Sequence, residues 1–234
     1  MTVEIALRRA RVRYGPLEAL HGLDLALPAG TVSVLLGRNG SGRTTALRAL
    51  AGTVPLAGGS VVWRGTDVTG LPAHRRARRG LCFVPDLRAV YATLTVAENL
   101  DLAAPGRRDA ALAAYPELAR LLTHRAGTLS GGERRMLALT RALLAPAPRV
   151  VLVDEASLGM APAVASRTYG LLAALTRPPL SAAVVLAEQR VPQGLPPGSL
   201  AYELSRGSLA TAGEITTPAP GTHPPPNPPP DTTP

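Results

Sequence analysis

An α/β fold is predicted by three features of the sequence. Short, almost wholly apolar runs (TVSVLLG, LCFVP, RVVLVD and SAAVVLAE) read as strands buried on both faces, and helix-like stretches separate them. One of these runs passes through a glycine-rich turn, GRNGSGRTT (Gly37 to Thr45), directly into the helix-like ALRALAG. Another ends on two adjacent acids, Asp154 and Glu155. Strand, glycine-rich turn and helix in that order are the context of a phosphate-binding loop. Gly37 and Gly42 allow backbone torsions that let consecutive N–H groups curl around phosphate oxygens. The helix that starts near Arg43 adds its positive dipole end to the same anion. Thr44 puts a hydroxyl where a magnesium ion bridging two phosphates needs a ligand. The pattern asks for lysine before that threonine, and this chain has Arg43.

The remaining elements follow in chain order. Residues 2–13 and 20–28 alternate apolar and polar positions, as two strands of a half-exposed sheet do. Tyr14 lies between them, either as a turn-flanking aromatic or as a ring for stacking on a base. Ser60 to Gly65 predicts an outer strand, and TDVTGLPAHRRARRG a short basic helix with Pro72 in its first turn. LCFVP is a buried strand ending at Asp86, where parallel sheets gather ligands and where a turn-former is equally at home. Residues 94–124 predict a small helical subdomain inserted between strands: LTVAENLDL, a PGRRD break, then AALAAYPELARLLTHR. In LSGGERRMLALTRALLA, Ser130 is an N-cap, and Gly131 and Gly132 allow close backbone approach. The helix runs to about Ala145, with Met136, Leu137, Leu139, Leu143 and Leu144 as its buried stripe, and its amino end is a second anion site.

Val150 to Val153 form a fully buried strand, and Asp154 and Glu155 stand at its end. Two carboxylates there are expensive beside apolar neighbours unless a cation or a polar reaction offsets them. Asp154 suits magnesium, and Glu155 suits orienting and polarising a water. A helix over Ala161 to Thr176, a buried strand over Ser181 to Glu188 and two short strands, SLAYELS and SLATAG, complete the fold. RVPQGLPPG is too rich in proline for a helix. From about Glu214 a proline-rich, disordered tail is expected.

Composition narrows the function classes. The 234 residues suffice for one substantial core with a small appended subdomain. A single cysteine, Cys82, excludes an internal disulfide and suits a reducing compartment. MTVEIALRRARVR lacks the apolar core of a secretory signal, and no run reaches the roughly 18 apolar residues that span a bilayer. The net charge is +9, but the arginines stand in small scattered groups without aromatic interleaving, so no nucleic-acid partner is expected. All 25 basic residues are arginine, which makes Arg43 one instance of a chain-wide absence of lysine.

GRNGSGRTT, LSGGE (Leu129 to Glu133) and VVLVDE (Val150 to Glu155), in that order and spacing, resemble the nucleotide-binding subunits of ABC transporters over about residues 3–213. RYGPLEALHGLDLALPAG, FVPDLRAVYATLTVAENL, SLGMAP and LAEQR resemble more narrowly the ATP-binding subunits of branched-chain amino-acid importers, the branch with Glu-Gln where most relatives have a histidine. The resemblance implies a P-loop NTPase with an ABC-type core over 1–213, an antiparallel β subdomain and a shortened α-helical subdomain over about 94–145, ahead of a 214–234 tail. It implies ATP and Mg2+ as ligands and ATP hydrolysis at a dimer interface as the reaction that drives solute uptake. Tyr14 would stack on adenine, and Gly37, Arg38, Asn39, Gly40, Ser41, Gly42, Arg43, Thr44 and Thr45 would wrap the phosphates. Thr44, Asp86 and Asp154 would surround magnesium, Glu155 would position water, and Gln189 would take the place of the γ-phosphate-sensing histidine. Ser130, Gly131 and Gly132 would serve ATP held by the opposite subunit. The implied partners are a second ABC ATP-binding subunit, transmembrane permease subunits and, indirectly, an extracytoplasmic solute-binding protein. The implied location is cytoplasmic, on the inner face of the cell membrane.

The chain departs from that family at several points. Arg43 brings a longer, planar, forked head to a pocket shaped for a compact ammonium. Losing one well-placed transition-state contact costs about 3 to 4 kcal/mol. Asp86 stands where this branch has Glu, Ala156 stands where proline usually follows the two acids, and prolines after Gln189 interrupt an expected helix. A degenerate, non-hydrolysing subunit that completes a partner's site is therefore the alternative reading.

Overall fold

The computed structural model describes residues 2–86 and 89–215. Among the described residues, ten strands form two sheets, and six α-helices pack on them or form a helical insertion. The first sheet has the order β2-β1-β4-β5 and is antiparallel, built from β1 (Val3–Tyr14), β2 (Leu17–Pro28), β4 (Gly58–Trp63) and the two-residue β5 (Thr66–Asp67). Tyr14 closes β1 at the turn into β2 and pairs with Leu17. The strand expected over Ser60–Gly65 runs instead over Gly58–Trp63, between β1 and β5, and it stops at Trp63 because Arg64 and Gly65 take up the tight turn into β5.

The second sheet has the order β10-β9-β3-β8-β7-β6. Its parallel strands are β3 (Val32–Leu36), β6 (Leu81–Val84), β7 (Val150–Asp154), β8 (Ala183–Glu188) and β9 (Leu200–Ser205). Only β10 (Ser208–Glu214) runs antiparallel, as the second arm of a hairpin with β9. Alternate residues of each central strand feed two different cores. Val34, Val151, Val153, Val184 and Leu186 pack against the helical side. Leu35, Val150, Leu152 and Val185 face α1 (Arg43–Ala51) and the antiparallel sheet. Burial on both faces is why these strands read as continuous apolar runs. It also clamps α1, and the loop before it, between two sheets.

Two expectations need correction. AALAAYPELARLLTHR is one helical stretch by periodicity, yet α4 (Arg108–Ala114) ends at Tyr115 and Pro116–Leu121 continues as a 3₁₀ turn. Pro116 supplies no N–H and biases Tyr115 out of the helical region, where it adopts φ −135 and ψ 85. The basic helix α2 (Ala73–Arg78) begins after Pro72, which is its N-cap, and Arg76 is buried rather than solvated. Its guanidinium donates to the carbonyls of Leu71, Ala49, Leu50, Val68 and Thr69. Two of those carbonyls belong to the last turn of α1, so Arg76 closes the carboxyl end of the phosphate-loop helix. At the end of the described residues, Glu214 closes β10 and the Ile215 N–H donates to the Ser199 carbonyl. The expected tail from 216 on lies outside the described residues.

The helical insertion holds α3 (Val96–Ala103), α4 and α5 (Gly131–Leu143) between β6 and β7. Thr95 and Ser130 cap α3 and α5 in capping boxes closed by Glu98 and Glu133. Met136, Leu137, Leu139 and Leu144 are buried as expected, Leu143 only partly, and Arg135 and Thr140 join them. The last helix, α6 (Pro162–Ala174), starts with proline at its first turn. No described helix is long and apolar enough to cross a membrane.

Candidate nucleotide site

The site forms where β3, β6 and β7 of the parallel sheet end and α1 begins. Between β3 and α1 the backbone must turn sharply around empty space. At Gly37 (φ 151) an added Cβ would fall 2.5 Å from both the Leu204 carbonyl and Ser41 Oγ, so this position requires glycine. The β9–β10 turn braces the loop from behind, its Gly207 N–H donating to the Ser41 carbonyl at 2.9 Å. The result is a cavity of about 690 Å³, lined by Tyr14, Glu18, His21 and Arg206 at its rim, by Arg38 to Thr45, and by Asp86, Asp154 and Glu155.

Every phosphate-loop residue from Arg38 to Thr45 therefore meets Tyr14, Asp86, Asp154 and Glu155 in one cavity. Gly37 borders a neighbouring cleft instead. Tyr14 is 41% exposed, which leaves a ring face open. Gln189 does not line the cavity. It donates from Nε2 to Glu155 Oε1 at 3.2 Å, behind the second acid. Ser130, Gly131 and Gly132 also stand outside it, at the amino end of α5, where Gly131 and Asp86 border a separate cleft. The close approach expected at Gly132 comes from the same chain: a Cβ there would fall 2.4 Å from the Gly159 carbonyl.

Charge inside the cavity is unevenly met. Arg43 is 6% exposed, and its Nη2 lies 3.8 Å from Glu155 Oε1 while Nη1 has no hydrogen-bond partner. Asp154 is 2% exposed, and its Oδ2 likewise has none. Burial pushes the Asp154 carboxyl above the ordinary carboxylate value; the Thr44 hydroxyl and Arg135 oppose that rise, while Asp86 and Glu155 add to it. A buried cationic N–H and a buried carboxylate oxygen, both unmet and both on residues that line one cavity, are the groups that an anion and a cation would satisfy. The hydroxyl of Thr44 and the two carboxylates fit a partial magnesium shell of the kind that phosphates and water complete. Among the described residues no group of three or more His, Cys, Asp or Glu side chains gathers to hold a metal alone.

Arg135 belongs to the site and was not legible as such. It is buried in α5, with Nη1 donating to the Pro85 carbonyl at 2.5 Å and Nη2 to the Asp154 carbonyl. One guanidinium thus ties the end of β6, next to Asp86, to the end of β7. The available signal was its spacing, four residues before Leu139 on the buried stripe, a position where arginine is out of place unless its fork is fully used.

A family model described as ABC transporter matches residues 20–158. The high-affinity branched-chain amino acid transport ATP-binding protein BraG of Pseudomonas aeruginosa is 35% identical over 204 residues, covering 84% of this chain and 86% of that protein. A probable branched-chain amino acid transport ATP-binding protein, LivF, of Archaeoglobus fulgidus is 36% identical over 213 residues, covering 86% and 89%. Among solved structures, a dimeric ATP-binding cassette in a post-hydrolysis state bound to ADP and Pi superposes with a TM-score of 0.77 at 20% identity, covering 91% of this chain and 99% of that one.

Proposed function

This chain belongs to the ABC transporter family, and we propose that it is the ATP-binding subunit of an importer that hydrolyses ATP at a dimer interface to drive uptake of branched-chain amino acids. The observation that carries the reading is the single cavity in which the phosphate loop, the Tyr14 ring, Asp86, Asp154 and Glu155 converge. The names of the BraG and LivF relatives support the solute class.

Each residue then has a physical task. The Tyr14 ring offers a face to adenine. The backbone N–H groups of Arg38 to Thr45 and the amino end of α1 face the phosphates, and the Arg43 guanidinium would meet a phosphate oxygen. Thr44 and Asp154, with Asp86 beside them, would hold magnesium, which when bound offsets the charge of the phosphates. Glu155, half-buried at the cavity edge, orients the attacking water, and Gln189 holds its carboxylate. Ser130, Gly131 and Gly132, outside their own chain's cavity, are free to serve a second subunit. The fold's likeness to a cassette described as dimeric supports that arrangement. Permease subunits would anchor the pair at the inner face of the cell membrane, with a solute-binding protein acting through them.

One observation favours a second reading. Arg43 Nη2 sits 3.8 Å from the carboxylate that must handle the water. A guanidinium held there leaves nucleotide bound but unhydrolysed, and the chain would then complete a partner's site. Single-turnover hydrolysis of labelled magnesium-ATP with protein in excess separates the two. Release of the bound label as phosphate is expected. ATP that stays bound and intact selects the second reading.

A further inference from the structure

Glu155 adopts φ 53, a left-handed torsion that side-chain-bearing residues avoid and that persists only where the surroundings over-determine it. Three consecutive residues at the end of β8 do so. The Ala187 carbonyl accepts from the Glu155 N–H at 2.9 Å. A Glu188 carboxylate oxygen accepts from the Ala156 N–H at 2.9 Å. The Gln189 amide donates to the Glu155 carboxylate at 3.2 Å. Of these, Glu188 is the anomaly. It is a carboxylate at 8% exposure, and it borders the cleft on the far side of Glu155 rather than the nucleotide cavity. An acid buried there is costly unless its hydrogen bonds are fixed. The same Glu188 oxygen lies 3.0 Å from the Tyr169 hydroxyl, which stands 2.9 Å from Ser157 Oγ. A phenol has one proton to give, so Tyr169 donates to Glu188 and accepts from Ser157. The carboxylate is thereby locked by α6 and holds the Ala156 backbone N–H.

We propose that Glu188 is a positioning residue for hydrolysis: held by Tyr169, its carboxylate fixes the Ala156 amide and with it the backbone torsion that aims Glu155 into the nucleotide cavity. This rests on the reading that Glu155 orients water. Glu188 itself touches neither nucleotide nor water. A bystander that merely fills the β8 end would affect stability, not the partition between kcat and KM.

The test uses the full chain with Glu188→Ala, Glu188→Gln and Tyr169→Phe. Phosphate release, nucleotide affinity and amide hydrogen exchange over residues 154–158 are measured together. Glu188→Ala is expected to lower kcat roughly ten- to a hundredfold, the scale of a small misplacement of a reacting group. KM and nucleotide affinity should hold within about twofold, because phosphate-loop binding is untouched. Exchange over 154–158 should quicken while the rest of the chain is unchanged. Glu188→Gln, whose amide oxygen still accepts from Ala156, should recover most of the kcat. Tyr169→Phe, which leaves the carboxylate in place, covers the case in which Glu188→Ala does not fold, and should show a smaller loss of the same kind. Unchanged kcat, an equal loss of nucleotide affinity, or unchanged exchange would each overturn the proposal. If the native chain releases no phosphate, the hydrolase reading fails separately. The bracing then stands or falls on exchange over 154–158 alone.

Discussion

Glu155 Oε1 has two neighbours competing for it, the Gln189 amide at 3.2 Å and the Arg43 guanidinium at 3.8 Å. The neutral amide steadies the carboxylate without withdrawing its charge, whereas the guanidinium holds it away from water. Phosphate oxygens are the better-matched partner for a forked cation, so bound nucleotide is expected to draw Arg43 off Glu155. Glu155→Gln removes the charge needed to polarise water and should slow turnover at least about a hundredfold, with nucleotide affinity retained, as stopped-assay phosphate release beside equilibrium binding would record. Tyr14→Ala should act in the opposite sense. Loss of a stacking face weakens nucleotide binding by about 1 to 3 kcal/mol, by analogy with base stacking on aromatic side chains. Titration with a fluorescent ATP analogue measures it, and an unchanged affinity would remove Tyr14 from the site. The motif residues were legible because each carries its chemistry in its type and spacing. Arg76 and Arg135 were not, because a long basic side chain reads as solvated until the fold shows which carbonyls converge on its fork.

At the scale of elements, the phosphate-loop helix is held at both ends. Its amino end is the nucleotide site, and its carboxyl end is closed by Arg76 through the carbonyls of Ala49 and Leu50. Arg76→Met keeps much of the volume but strands several buried carbonyls, and should destabilise the chain by roughly 3 kcal/mol or more in urea unfolding. A change below about 0.5 kcal/mol, the level of an ordinary surface substitution, would mean those bonds are replaced by water. The capping boxes of α3 and α5 add a pH dependence. Hydrogen bonds from Thr95 to Glu98 and from Ser130 to Glu133 hold both carboxyls below their ordinary value of 4.5. A depressed folded value means stabilisation that is complete above pH 4.5 and lost as pH falls through the lowered one. Acid titration followed by amide exchange at the first turns of α3 and α5 should therefore show fraying that Glu98→Gln and Glu133→Gln reduce. Strands buried on both faces were readable from their continuous apolar runs, and Ser130 as an N-cap from its residue type. The break at Tyr115 was not, since the apolar spacing of AALAAYPELARLL continues across Pro116 although its backbone does not.

Across the whole molecule, the two halves of the predicted chemistry lie in different places. The nucleotide cavity sits between the sheets, while Ser130, Gly131 and Gly132 cap α5 outside it. That separation was implied by the helical subdomain expected between strands and by the resemblance that sends Ser130, Gly131 and Gly132 to an opposite subunit; the insertion of α3 to α5 between β6 and β7 accompanies it in the fold. In a dimeric working unit, Ser130→Ala should leave nucleotide affinity unchanged and abolish turnover. Mixing it with Glu155→Gln should restore part of the activity in the one composite site that keeps both residues. The most direct measurement is steady-state phosphate release with magnesium-ATP by the native chain, Arg43→Lys and Glu155→Gln, with nucleotide binding followed in parallel. Turnover by the native chain, lost in Glu155→Gln, is expected. Binding without turnover, rescued by Arg43→Lys, would contradict it and assign the chain to completing another subunit's active site.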